Sequence, residues 1–270
     1  MVRIFLALIL CFSFSFGDIL GNVRSFLDAR TYGSQRNMIN VLFAKKSKYI
    51  DGQTGEVNSL AILRTLKDNG LLNFSFKSAE QLKISFDIAH SPLLAMKIIN
   101  NTLDRLGYTY YLTDYISRQD KMLSWSILIN TQSLLDPVVF SDMLIAQGVF
   151  VLDIRKENKF SWKYSMDFQD AKLKTMDIAR NRQQNLPKPN RPYWINAHGA
   201  KNIYINAHHK DNWFPLVTFY DRDLNVLKEI NLSQDKKRLH AKIDKDVTYV
   251  KIDDKYLLDN IKRGLVVRLD

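Results

Sequence analysis

The sequence predicts an α+β chain that ends in an all-β region, and three observations carry this reading. Residues 80–168 alternate apolar and polar side chains in strand-like runs, separated by two helices of matching design. Residues 191–270 fall into short strand-like runs divided by Asn, Asp and Gly turns, without a helical period. Residues 18–79 show mostly helical spacing.

The first 17 residues read as an export signal. Met1-Val2-Arg3 precede an apolar run from Ile4 to about Phe16, and small residues stand at Ser15 and Gly17. A spanning helix needs about 20 apolar residues, and this run is shorter. Cleavage after Gly17 is expected, with a retained anchor as the alternative. Cleavage would also remove Cys11, the only cysteine. Disulfides, zinc thiolates and a cysteine nucleophile are thereby excluded from the mature chain.

Residues 18–79 are expected to form a small helical subdomain. Ile19, Leu20, Val23, Phe26 and Leu27 keep helical spacing, as do Ile39, Leu42 and Phe43. A turn at 51–55 leads to a helix carrying Leu60, Leu63 and Leu66, which stops at Asn69-Gly70.

Residues 80–168 follow. Leu82, Ile84, Phe86 and Ile88 alternate with Lys83, Ser85 and Asp87, marking a half-buried strand. Ser91-Pro92 opens a helix striped with Leu94, Ala95, Ile98 and Ile99, and Gly107 closes it. Strand-like runs follow at 108–117 and around Leu123, Trp125, Ile127 and Ile129. Asp136-Pro137 opens the second helix, Gly148 ends it, and 149–154 is the next strand. The order βαββαβ is that of a ferredoxin-like domain. A further strand at 160–168 is expected to extend the sheet at an edge and to offer a docking strand.

Residues 169–190 are expected to hold a short helix through Leu173, Met176 and Ala179, and then a basic, semi-rigid linker. Strands are expected at 203–207, 216–220, 226–232, 239–243, 247–252 and 265–269. Their spacing of roughly 8–12 residues suggests a β-sandwich over 191–270.

The formal charge is +11, of which Arg3 carries one. Residues 80–168 hold nine basic and ten acidic side chains, so the excess lies in the flanking segments. Anionic headgroups, acidic glycan or an acidic protein face suit such a surface; nucleic acid is not an expected partner of an exported chain.

No G-x-S-x-G elbow, H-E-x-x-H pair or phosphate-binding glycine-rich loop is present. His198, His208 and His209 cluster early in the sandwich, but adjacent strand histidines would diverge, so exposed turn histidines are favoured over a metal site. Asp221-Arg222-Asp223 begins like a calcium loop but lacks the glycine and the closing glutamate, which favours a polar hairpin turn. Asp253-Asp254, beside Lys251 and Lys255, reads as a solvated turn rather than an acid/base pair. No cofactor, metal or catalytic residue is expected.

The candidate binding residues are aromatic: Trp194, Tyr204, Trp213 and Tyr220, with Asn196, Asn206, Asp211 and Asn212 at hand. Exposed rings of this kind dock proteins or stack on sugars, whereas buried ones fill a core. The Phe/Ser-rich signal, the Lys/Asn/Ile-rich composition and the domain order resemble periplasmic accessory cell-shape proteins of helical epsilon-class bacteria, which support a peptidoglycan hydrolase. The resemblance implies a non-enzymatic periplasmic scaffold whose partners are an envelope protein and peptidoglycan, with membrane-surface contact through the basic segments. It carries no site residues. The alternative is a carbohydrate-active or metal-dependent hydrolase whose site lies on the sandwich.

N-terminal sequencing of the exported protein is expected to begin at Asp18. An intact segment from Met1 to Gly17 in the membrane fraction would make this an anchored protein instead.

Overall fold

The computed structural model describes residues 18–52 and 54–270, so the expected export segment 1–17 and its Cys11 lie outside the described residues. Four short helices come first: α1 (Ile19–Phe26), α2 (Ala29–Ser34), α3 (Arg36–Leu42) and α4 (Ser59–Asp68). Three of the four starts are capped by side chains, with Asp18 accepting from the Gly21 N–H, Asp28 from Thr31 and Asn58 from Ala61. Ile19, Val23 and Phe26 of α1 and Ile62, Leu63 and Leu66 of α4 face inward at helical spacing.

The α+β body continues through β1 (Ser75–Ala89), α5 (Pro92–Arg105), β2 (Leu112–Gln119), β3 (Met122–Ser133), α6 (Pro137–Ile145), β4 (Phe150–Asn158) and β5 (Ser161–Asp167). The two proline-started helices lie where the sequence places them, and Asp136 caps α6. The sheet departs from expectation. Its order is β2-β3-β1-β5-β4, with β1 and β5 parallel and all other pairs antiparallel.

The strand at 160–168 is therefore interior and not an edge. Trp162, Tyr164 and Met166 are almost fully buried, and a strand with so large an apolar face is better served by a neighbour on each side. The β4–β5 hairpin puts the charged Arg155-Lys156-Glu157 stretch outside instead. That edge is covered: the Ile154 N–H donates to Ser59 Oγ at 2.8 Å, Lys156 Nζ reaches the Phe26 carbonyl at 2.9 Å, and Phe26 stacks on Trp162. The helical segment thus closes the sheet edge that β5 was expected to form.

The remaining chain builds two four-stranded antiparallel sheets. Their strands are β6 (Gln184–Asn185), β7 (Tyr193–Asn196), β8 (Asn202–Ala207), β9 (Pro215–Tyr220), β10 (Val226–Asn231), β11 (Arg238–Lys242), β12 (Tyr249–Asp254) and β13 (Leu265–Leu269). The orders are β10-β9-β12-β7 and β11-β8-β13-β6. Both sheets contribute to one apolar cluster, with Ile195, Val217, Phe219, Val250 and Ile252 from the first and Ile203, Ile205, Val267 and Leu269 from the second.

Residues 169–190 form no helix and do not run free. Their backbone is bonded to both parts of the molecule. Lys172 N–H donates to the Gln147 carbonyl, Leu173 N–H to the Tyr249 hydroxyl, Met176 N–H to Trp194, Asn181 N–H to Leu269 and Leu186 N–H to Leu265. Ala171, Leu173, Ile178 and Leu186 are buried. Two glycines admit the segment at its ends. Gly148 (φ +80°) and Gly264 (φ +81°) leave room for the Asp170 and Leu186 carbonyls, and a Cβ there would lie 2.7 Å and 2.0 Å from those oxygens.

Gly264→Ala is accordingly expected to destabilise the protein by more than the roughly 1 kcal/mol of an ordinary loop substitution, because the Leu186 carbonyl is backbone and has to move. A thermal melt reads the effect. Limited trypsinolysis of the native protein is expected to release no stable 191–270 fragment; its accumulation would show that the segment is not held as described.

Candidate functional site

The first sandwich sheet has two occupied faces. Tyr193, Ile195, Val217, Phe219, Val250 and Ile252 point into the sandwich core, and the alternate residues Trp194, Tyr220, Tyr249 and Lys251 point outward. Tyr249 is buried in the core of the α+β body, and Trp194 and Tyr220 pack at its margin. The two parts therefore meet across this outer face, and beside the contact lies an open cleft of about 560 Å³.

The floor of the cleft is aromatic. Trp194 on β7 and Tyr220 at the end of β9 sit 5.1 Å apart between ring centroids, inclined at 32° and half-buried. One wall is the polar stripe of α5, where Lys97, Asn101, Asp104 and Arg105 recur at helical spacing opposite the buried Leu94, Ile98 and Leu103. Lys174, Arg191 and Lys251 complete the lining. Five cations thus face a single lining carboxylate, Asp104, which pairs with Arg191 at 3.3 Å. Lys251 pairs with Asp253 at 3.1 Å, just outside the lining. Lys97, Arg105 and Lys174 have no ion pair among the described residues.

Lys97 lies against the aromatic floor. Its ammonium lies 5.4 Å from the centroid of the Trp194 ring. Burial, and then the charges of Lys251 and Arg191, lower its pKa below the ordinary lysine value, although Asp104 acts in the opposite direction. Cations gathered without matching carboxylates cost stability unless an anion joins them.

A second basic concavity, about 770 Å³, lies on the outer face of the other sheet. His240, Tyr204 and Arg268 stand in register across β11, β8 and β13. The imidazole stacks on the Tyr204 ring at 4.5 Å and 8°, and the guanidinium carbon lies 4.2 Å from the same centroid. These neighbours come from strands on opposite sides of β8, so both faces of the ring are covered. Gln183, Asn206 and Arg238 extend the lining, which contains no carboxylate. Arg268 Nε is buried without a hydrogen-bond partner.

The structure separates the four aromatic candidates. Trp194 and Tyr220 come together in the junction cleft. Tyr204 is half-buried and lines a concavity, but its faces are taken, so it offers an edge and a hydroxyl rather than a stacking platform. Trp213 is fully buried, and its indole N–H donates to the Asp253 carbonyl at 2.9 Å; it belongs to the core.

The other polar candidates resolve as structure. Asp254 is buried and accepts N–H groups of Phe214, Tyr256 and Leu257, so this half of the acidic pair is a loop clamp and not a solvated turn. Asp221 accepts from the backbone of Asp223 and Asn225 and caps a hairpin turn. His208 and His209 follow β8, and their rings meet at 4.2 Å between centroids, tilted by 32°, instead of diverging. Among the described residues no group of three or more His, Cys, Asp or Glu is placed to hold a metal ion.

Sequence reasoning missed the cations of the cleft. On α5 and β12 they carry the same signature as any solvated polar face, and only the packing of the two parts brings them together. Comparisons with protein-family models, with curated proteins and with solved structures returned no match to this chain.

Proposed function

We propose that this chain is a non-enzymatic binding protein of the cell envelope, exported to the periplasm, that docks an acidic segment of a partner protein in the cleft between its α+β body and its sandwich. The α+β body is read as a ferredoxin-like succession into which the fifth strand is intercalated beside β1. A partner such as a peptidoglycan-remodelling enzyme fits the envelope role.

The single observation that carries the reading is the grouping of five cations and one carboxylate around the Trp194–Tyr220 floor. An acidic, partly apolar segment satisfies both features: its carboxylates relieve the repulsion at Lys97, and its side chains cover the rings. Reaction chemistry has no comparable support, because no carboxylate pair or nucleophile–base pair lines the cleft.

A second reading, binding of acidic glycan such as peptidoglycan, rests on the other concavity. Its amides suit sugar hydroxyls, and Arg268 and Arg238 suit a sugar carboxylate.

Lys97→Met keeps the stem against Trp194 and removes the charge. It is expected to raise the melting temperature, since a lysine whose pKa is lowered in the fold is a destabilising cation. That cost is complete below the folded pKa and vanishes as pH rises past the unfolded value, so the two melting curves converge in alkali. Capture of the envelope partner is expected to fall roughly 10- to 100-fold, the range for losing a charged hydrogen bond. Cross-linking in envelope fractions checks this. Equal capture by wild type and variant would sink the cleft reading, and sacculus binding lost only on Arg268→Gln would select the glycan reading.

A further inference from the structure

The two ends of the sandwich differ in charge. At one end, the loops 208–214, 232–237 and 255–264 lie together, as the registers Leu265↔Ala207, Asp254↔Pro215 and Asn231↔Leu216 require. These loops carry Lys210, Lys236, Lys237, Lys255, Lys262 and Arg263 against three carboxylates, Asp211, Asp235 and Asp259. Asp211 is already committed inside, where it is 2% exposed and accepts from Arg263. The opposite loops, 197–201, 221–225 and 243–248, hold three cations and four carboxylates.

The basic end also projects the adjacent residues Tyr256 and Leu257, 56% and 66% exposed. They are not on a slack loop. The buried carboxylate of Asp254 accepts the backbone N–H groups of Tyr256 and Leu257 and the Asn260 side-chain amide at 2.9–3.0 Å, and the Phe214 N–H at 2.8 Å. Phe214 meets the Tyr256 ring edge-on at 4.9 Å, and the 3-10 turn Leu258–Ile261 anchors the loop through buried Ile261. Lys255 holds its ammonium 5.8 Å from the Tyr256 ring centroid. Four hydrogen bonds to one buried carboxylate thus fix an apolar tip in water, within a collar of lysines.

We propose that this end of the sandwich docks on the surface of a membrane containing anionic phospholipid, with Tyr256 and Leu257 entering the headgroup region and the lysine collar resting on the phosphates. A tyrosine suits that boundary because its ring is apolar and its hydroxyl stays hydrated. Each cation near an anionic surface adds attraction that salt screens. The charge difference between the two ends orients the molecule with this tip toward the bilayer. No helix among the described residues is long and apolar enough to cross a membrane, and a peripheral contact needs none.

The test is co-sedimentation of the purified protein with vesicles of phosphatidylcholine alone and of phosphatidylcholine mixed with phosphatidylglycerol. Binding is expected to the mixed vesicles, weakening as salt is added, with little binding to the neutral ones. The double variant Tyr256→Ser, Leu257→Ser removes two exposed side chains and keeps every Asp254 bond, so its melting temperature is expected to match wild type. Its partition onto mixed vesicles is expected to drop at least about tenfold. Lys255→Glu with Lys262→Glu is expected to abolish the preference for the anionic lipid. Failure of wild type to bind mixed vesicles, equal binding to both kinds, or undiminished binding by the folded serine variant would each overturn the proposal. So would a photo-cross-linker at position 257 that labels a protein and no lipid in envelope membranes.

Discussion

The arrangement depends on one sheet whose central strands make contacts on both faces. Strands β7, β12 and β9 send alternate residues into the sandwich core and onto the α+β body, and Tyr249 is the residue on which the second contact turns. Its ring is buried in the α+β core, and its hydroxyl accepts the Leu173 N–H at 3.1 Å; burial raises the phenol pKa, and that contact acts in the opposite direction. A strand buried on both sides ordinarily reads as a continuous apolar run. Here it does not, because Lys251 stands two residues from Tyr249 on the outward face, where the contact gives way to the cleft. Contact and cleft are successive outward-facing positions of one strand, so the site cannot be moved without disturbing the junction.

The segment before the sandwich is the other half of that constraint. Composition marks residues 180–189 as a linker, since Arg, Asn, Gln and Pro bury little apolar area. The structure uses the backbone instead, which composition does not report. Single hydrogen bonds at Asn181 and Leu186 and the two-residue strand β6 attach it to β13, and the glycines at 148 and 264 let it approach closely. What sets these residues apart lies elsewhere in the chain, in two glycines with positive φ.

Much of the secondary structure was nonetheless legible. The alternation at Leu82–Ile88, the proline-started helices and all six strand runs of the C-terminal half appear where local pattern places them. Order within the first sheet was not, because strand pairing is decided by which neighbour completes the burial of Trp162 and Tyr164, a tertiary matter. The candidate aromatics divided for the same reason. A tryptophan in a turn-rich stretch looks identical whether its N–H meets a buried carbonyl, as at Trp213, or its face meets a lysine, as at Trp194. Only the cluster they came from, the first 30 residues of the sandwich, was readable in advance.

Where a protein accepts local disadvantage, the site of the disadvantage is informative. On the α+β body several charged groups have partners near at hand: Arg64 forks onto Asp142, Lys83 meets Asp114 at 2.7 Å, and Lys163 meets Asp87 at 2.6 Å across the open sheet face. Those pairs cost little to keep and do little beyond setting register. The junction cleft differs from those pairs, with a half-buried lysine disfavoured first by burial and then by neighbouring cations. Folding alone would be better served by a neutral residue at position 97. A cation kept there against the local electrostatics fits the acidic partner proposed for the cleft, and the aromatic floor beside it would give such a partner an apolar surface to cover.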